Sequence, residues 1–95
     1  MAAFLMVQMT VSDPEQYQAY GKAVVPLIAK HGGKFIVRGG KVECLEGQHD
    51  GRRLVVFEFP SMEALKAFWD SPEYVPVKKL RERAAVLDVW AVEGV

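Results

Sequence analysis

HGGKFIVRGGKVECLEG, His31 to Gly47, decides how this chain folds. It sets a glycine pair on either side of a strand-like run that ends in Arg38. Downstream, GQHDG (residues 47–51) is a turn by composition, and Arg53 to Phe59 (RLVVFEF) is the strongest strand pattern in the chain. If Gly39-Gly40 made a two-residue hairpin and GQHDG another, the strand at 53–59 would run parallel to the one at 34–38. If the glycines only bend one long strand, the two lie side by side and antiparallel. The bend is the better reading, because glycine accepts the dihedrals that a bulge needs.

Working outward, Ala3 to Val11 is a short β-rich run, and SDPEQ after it carries a helix start. Asp13 is placed to cap, Pro14 suits the first helical position, and Gln16 can reach back as in a capping box. Tyr17, Tyr20, Val24, Leu27, Ile28 and His31 then form one helical stripe that stops at Gly32. Pro26 inside it cannot donate to the Lys22 carbonyl, so a kink is expected there. Lys41 to Glu46 reads as strand again, beyond the glycine bend. Ser61 caps a helix whose buried stripe is Met62, Leu65, Phe68 and Trp69. Ser71-Pro72 restarts a helix to about Ala84 or Ala85, and Val86 to Val92 is the last strand. The order is βαββαβ, so residues 1–95 read as a single α+β domain: a ferredoxin-like sandwich with helices on one face of an antiparallel sheet.

Both faces of that sheet are apolar. In LVVFEF, Leu54 and Val56 share one side with Glu58, while Val55, Phe57 and Phe59 take the other; VLDVWAV behaves similarly. A half-exposed antiparallel sheet alternates apolar with polar. Helices cover only one face here, and the simplest cover for the other is a second copy, so the pattern predicts a homodimer packed sheet to sheet.

Composition narrows the function. Lys+Arg and Asp+Glu balance at 12 each, which leaves no long-range field for a polyanion, so no nucleic-acid partner is expected. KKLRER, Lys78 to Arg83, reads as a solvated helix face. The chain has one cysteine, Cys44, in a strand-like run without a basic neighbour; it reads as a buried structural thiol in a reducing compartment. MAAFLMVQMTV lacks a positive leading region, and no apolar run reaches membrane-spanning length, so no membrane partner and a cytoplasmic location are expected. Two histidines and one cysteine at these spacings make no metal motif, and neither metal nor cofactor is predicted.

Three residues stand out as candidates for chemistry. Glu58 is a carboxylate in an apolar strand and needs a cation or a ligand. Arg38, on the neighbouring strand, could hold it as a structural ion pair; alternatively Arg38 anchors an anionic or enolate-like ligand that Glu58 orients or deprotonates. His31, at a helix C-terminus, is either a stabilising cap or the acid–base group of a cleft. Tyr17, Tyr20, Phe68, Trp69 and Tyr74 are core by spacing, or the walls of a pocket for a flat, partly apolar molecule.

SDPEQYQAY, VPLIAKHGGKFIVRGGKVECLEG, RRLVVFEFPSMEALKAFW and SPEY follow, in order, a known pattern. Over nearly its whole length the chain resembles the domain of unknown function 1330 family, within the dimeric α+β barrel superfamily. The resemblance implies a ferredoxin-like protomer whose sheet packs on its twin's to close a barrel. Relatives in that superfamily include cofactor-free monooxygenases, lactone isomerases and haem enzymes. Two functions are open: a cofactor-independent enzyme, monooxygenase- or isomerase-like, with its pocket between sheet and helices, or a non-catalytic homodimer that binds a metabolite or a protein. Convergence of His31, Arg38 and Glu58 on one cavity is what the catalytic version requires. Haem, by analogy alone, would need His31 as its ligand.

Overall fold

Ser12-Asp13-Pro14 turns the first strand into the first helix as its chemistry dictates. In the computed structural model, which describes residues 1–95, strand β1 (Ala3–Val11) is followed by helix α1 (Pro14–Lys30). Asp13 accepts from the Gln16 backbone N–H at 3.2 Å, as expected of a cap. The Gln16 side chain does not reach back; it donates to the Leu80 carbonyl at 2.9 Å and ties the start of α1 to the far end of the chain. His31 ends the helix and Gly32 comes next in the left-handed region at φ +82°.

Strands β2 (Lys34–Arg38) and β3 (Arg53–Phe59) come next, then helices α2 (Met62–Trp69) and α3 (Tyr74–Lys79), and finally β4 (Ala85–Glu93). Ser61 caps α2 by accepting from Ala64 N–H at 3.1 Å. The helix expected from Ser71 to Ala84 is much shorter. Pro76 brings no N–H, and beyond Lys79 the backbone closes three-residue turns, such as Arg81 N–H to Lys78 O at 3.2 Å, up to Arg83 at φ +65°. Ser71 caps nothing, and its hydroxyl is buried without a partner.

The sheet order is β2-β3-β1-β4, antiparallel at every neighbour. β2 and β3 are therefore antiparallel neighbours, as the bend required. The second half of the bent strand is not formed: residues 40–52 have no strand partner and lie outside the sheet. Within one chain β3 begins only at Arg53, so nothing stands opposite Lys41 to Glu46 to complete a ladder. Cys44 consequently is exposed rather than buried, its Sγ directed at the Gly47 carbonyl at 3.4 Å.

All helices lie on one face. There Leu5, Val7 and Met9 of β1 and Val55, Phe57 and Phe59 of β3 meet Tyr20, Val24, Leu27 and Ile28 of α1 and Leu65 and Phe68 of α2. Phe59 and Phe68 are the largest fully buried side chains, stacked at 5.8 Å between centroids. The molecule is a slab 16 Å thick along its shortest axis, room for a sheet and one helical layer only. No helix lies over the other face, which carries Met6, Leu54, Val56, Trp90 and Val92; Val56 at its centre is buried, whereas Trp90 is 43% exposed. No helix is long and apolar enough to cross a membrane.

Candidate functional site

A cavity of about 1210 Å³ opens between α1 and the inner face of the sheet. Its floor is Leu5, Val7 and Met9 of β1, Val55 and Phe57 of β3, and Leu87 and Val89 of β4. Its walls are aromatic: Tyr17 and Tyr20 from α1, Phe68 and Trp69 from α2, and Tyr74 from α3. All four pocket tyrosine and tryptophan candidates, Tyr17, Tyr20, Trp69 and Tyr74, therefore face one space. Helical spacing on α1 and the tight α2–α3 connection bring them together.

Two of these phenols are bound to each other. Tyr20 Oη and Tyr74 Oη lie 2.9 Å apart in a buried hydrogen bond. Burial pushes the Tyr20 phenol far above its usual range, and the neighbouring Tyr74 adds to the effect. Burial raises Tyr17 too, opposed in part by the positive charges of Arg53 and Arg81. Tyr17 packs on Tyr20 in a tilted arrangement, 5.4 Å between ring centroids, and has no hydrogen bond of its own to another side chain, so its hydroxyl is free to meet a ligand.

Arg38 lines the same cavity, with its guanidinium carbon 4.0 Å from the centre of the Phe35 ring. It reaches this face because of a slip in the strand. Lys34 and Phe35 of β2 stand opposite Glu58 and Phe57, but Val37 and Arg38 stand opposite Val56 and Val55. Ile36 is the extra residue, and it reverses the side of everything after it.

The three chemistry candidates do not converge. Without the slip Arg38 would share a face with Lys34 and Glu58; with it, Arg38 and Glu58 lie on opposite faces, and the expected ion pair between them is not made. Glu58 pairs instead with Lys34, its register partner, at 3.4 Å, beside a shallow second recess of about 340 Å³ at the edge of the sheet. His31 lines neither space: its Nδ1 is 3.0 Å from the Leu27 carbonyl and its ring meets Phe68 edge-on at 6.1 Å. Of the three, Arg38 alone belongs to the large cavity. No group of three or more His, Cys, Asp and Glu side chains assembles at metal-holding distance.

One cavity residue escaped the sequence reading. Arg53 opens β3 on the same parity as Val55 and Phe57, so its side chain joins Arg38 on the inner face. It rests on Gly39, whose φ of +71° and missing side chain leave room for the Arg53 Nε, Cγ and Cζ. The signal is present in the alternation of RLVVFEF, where Arg53 falls on the side of Val55, Phe57 and Phe59.

The fold has solved counterparts. A protein of unknown function from Rhodopseudomonas palustris superposes with a TM-score of 0.75 at 23% identity, over 99% of this chain and 82% of that one. SnoaB, a cofactor-independent oxygenase from Streptomyces nogalater, gives 0.65 at 11% identity, over 99% and 93%. A dimeric protein of unknown function and ferredoxin-like fold from Bacteroides fragilis gives 0.61 at 17% identity, over 98% and 96%. These likenesses are of fold. No curated protein matches the sequence. The antiparallel sheet in the order β2-β3-β1-β4, the helices on one face and the match of residues 2–95 together place the chain in the family described as domain of unknown function (DUF1330).

Proposed function

We propose that this chain is a homodimer whose protomers each hold a small, largely apolar molecule between α1 and the sheet. The observation that carries this reading is the aromatic-walled cavity of about 1210 Å³, a generous size for a metabolite site. Dimerisation through the outer face is supported by its uncovered apolar side chains and by the dimeric state of the Bacteroides fragilis protein of like fold. Packed sheet to sheet, two copies would form the dimeric α+β barrel.

A second reading, a cofactor-independent oxygenase or isomerase, is favoured by the Tyr17 hydroxyl in a cavity that Arg38 and Arg53 also line. A protonated phenol and guanidinium groups can stabilise negative charge developing on an enolate oxygen. In that version His31 and Glu58 take no part in the chemistry, because neither side chain faces the cavity.

Aminoanthracene, a neutral apolar fluorophore, tests the cavity directly. One probe per chain is expected to brighten on binding, and Met9→Trp, which fills the floor, is expected to abolish this while the protein stays folded by circular dichroism. Absence of binding to folded wild-type protein would overturn the proposal. Analytical ultracentrifugation of the same sample tests the homodimer, and a monomer at micromolar concentration would refute it.

A further inference from the structure

We infer that the cavity is built for a carboxylate: Arg38 and Arg53 form a two-guanidinium clamp at one end of it, and the ligand is a flat apolar body bearing a carboxylate. The inference rests on the reading of the cavity as a ligand site and adds the chemical class.

The first ground is that these two arginines are idle within the protein. The ion pairs of the molecule are Lys30 with Glu73, Lys34 with Glu58, Lys41 with Glu43, and Arg52 with Asp50 and Asp88. Neither Arg38 nor Arg53 takes part in any of them, and neither donates a side-chain hydrogen bond. Arg52 makes the contrast sharp. One residue earlier on the chain, it faces the other side of the sheet and satisfies its fork with two carboxylates and the Gln8 amide oxygen at 2.9 Å. The carboxylates along the cavity are Asp13, committed to the α1 cap, and Glu15, in the first turn of that helix; neither pairs with the arginines.

The second ground is placement. Arg38 stands opposite Val55 in the ladder, and Arg53 lies one inward-facing position before Val55 on the same strand, so the two are diagonal neighbours on the inner face. Each is held by packing: Arg38 over the Phe35 ring at 4.0 Å, and Arg53 in the space that Gly39 leaves open. A guanidinium laid on an aromatic ring is weakly hydrated and presents a planar fork, the geometry that meets the two oxygens of a carboxylate. Tyr17 lines the same cavity, and its phenol, which burial keeps protonated, offers a further donor.

The third ground is the rest of the wall. Beyond the arginines the floor is Met9, Val55, Phe57 and Leu87, which suits rings or hydrocarbon, and the one other cation in the lining is Lys22 of α1. A phosphate ester would lack the glycine-rich backbone cradle such ligands use.

The test is calorimetric titration of the whole protein, at low ionic strength, with naphthoate and with neutral naphthamide of the same shape. Naphthoate is expected to bind about tenfold tighter than naphthamide. Arg38→Ala and Arg53→Ala are each expected to weaken naphthoate about tenfold and to leave naphthamide within about twofold. Arg38→Lys keeps the charge without the fork and should recover only part of the preference. Lys34→Ala, on the opposite face, should change neither ligand. Equal affinities for acid and amide in the wild type would overturn the clamp while leaving the cavity reading intact. Equal loss of both ligands in Arg38→Ala would overturn it too, by making Arg38 a structural residue. Failure of both ligands to bind, with aminoanthracene still bound, would likewise refute a carboxylate site; failure of all three would take the cavity reading with it.

Discussion

The two faces of the sheet are made from the same strands and are both largely apolar, yet their charged residues behave in opposite ways. On the outer face Glu58 meets Lys34 across the β2–β3 ladder, and Arg52 gathers Asp50, Asp88 and Gln8. On the inner face Arg38 and Arg53 are exposed and unpaired, in the lining of a cavity shared with phenols kept protonated by burial. A surface meant to be covered by protein neutralises its charges internally, because an unpaired charge at an interface is costly to bury. A surface meant to receive a ligand can leave its donors open.

This contrast can be broken from the inner side first. Phe68 is 1% exposed and touches Phe59, Tyr74 and His31, so Phe68→Ala is expected to cost about 3–5 kcal/mol in urea-induced unfolding. A cost below about 1 kcal/mol would mean that the helical layer does not depend on that aromatic cluster.

The outer side comes next. Trp90→Glu places a charge amid the uncovered apolar face and is expected to raise the dimer dissociation constant about thirtyfold or more, on the order of 2 kcal/mol, by sedimentation velocity. The same substitution should leave the circular dichroism spectrum unchanged, because Trp90 points away from the helices. An unchanged dimer would show that the subunits associate elsewhere.

A smaller effect sharpens the account of the phenols. Tyr20 is held protonated in the folded protein, whereas in the unfolded chain it titrates near its ordinary 10.0. The raised folded value means that its contribution to stability is complete below about pH 10 and is lost as pH rises above it, since the unfolded chain then gives up the proton first. Wild-type stability should therefore fall between about pH 9 and pH 11, and Tyr20→Phe should fall less steeply, at a cost of about 1 kcal/mol at pH 7 for the lost bond to Tyr74. Parallel pH profiles for the two proteins would contradict the buried-phenol account.

The smallest effect belongs to Lys34→Ala. Its pair with Glu58 is 3.4 Å long, with Lys34 70% and Glu58 32% exposed, so a loss of less than about 1 kcal/mol is expected in thermal unfolding. A larger loss would make Glu58 the buried, dependent carboxylate that its apolar strand first suggested.

Local chemistry is legible where a residue's consequence is felt within a turn or a strand of itself. Asp13 and Ser61 cap the helices that their positions announce, Gly32 ends α1, and alternation in β3 sorts Val55, Phe57 and Phe59 onto the helical side. The readings that failed depended on partners elsewhere. Lys41 to Glu46 has strand composition but no neighbour within the chain to pair with, so Cys44 is left exposed. Ser71-Pro72 looks like a helix start, yet Pro76 cannot bond back to the Pro72 carbonyl, and the closure of Ala84 on Ser12 holds Leu80 to Ala84 in short turns.

By itself the sequence determined the βαββαβ order, the antiparallel pairing of β2 with β3, the aromatic inner layer and the apolarity of both faces, because each arises from periods and caps that act over a few residues. Which residues share the candidate site was decided only in the tertiary structure. A single extra residue, Ile36, shifts the ladder between Phe35 and Val37 and turns Arg38 from the face of Glu58 to the face of Tyr17 and Arg53. Strand side chains alternate with a period of two, so one inserted residue reverses every side chain beyond it; where the insertion falls is set by pairing with β3, which the composition of β2 does not record.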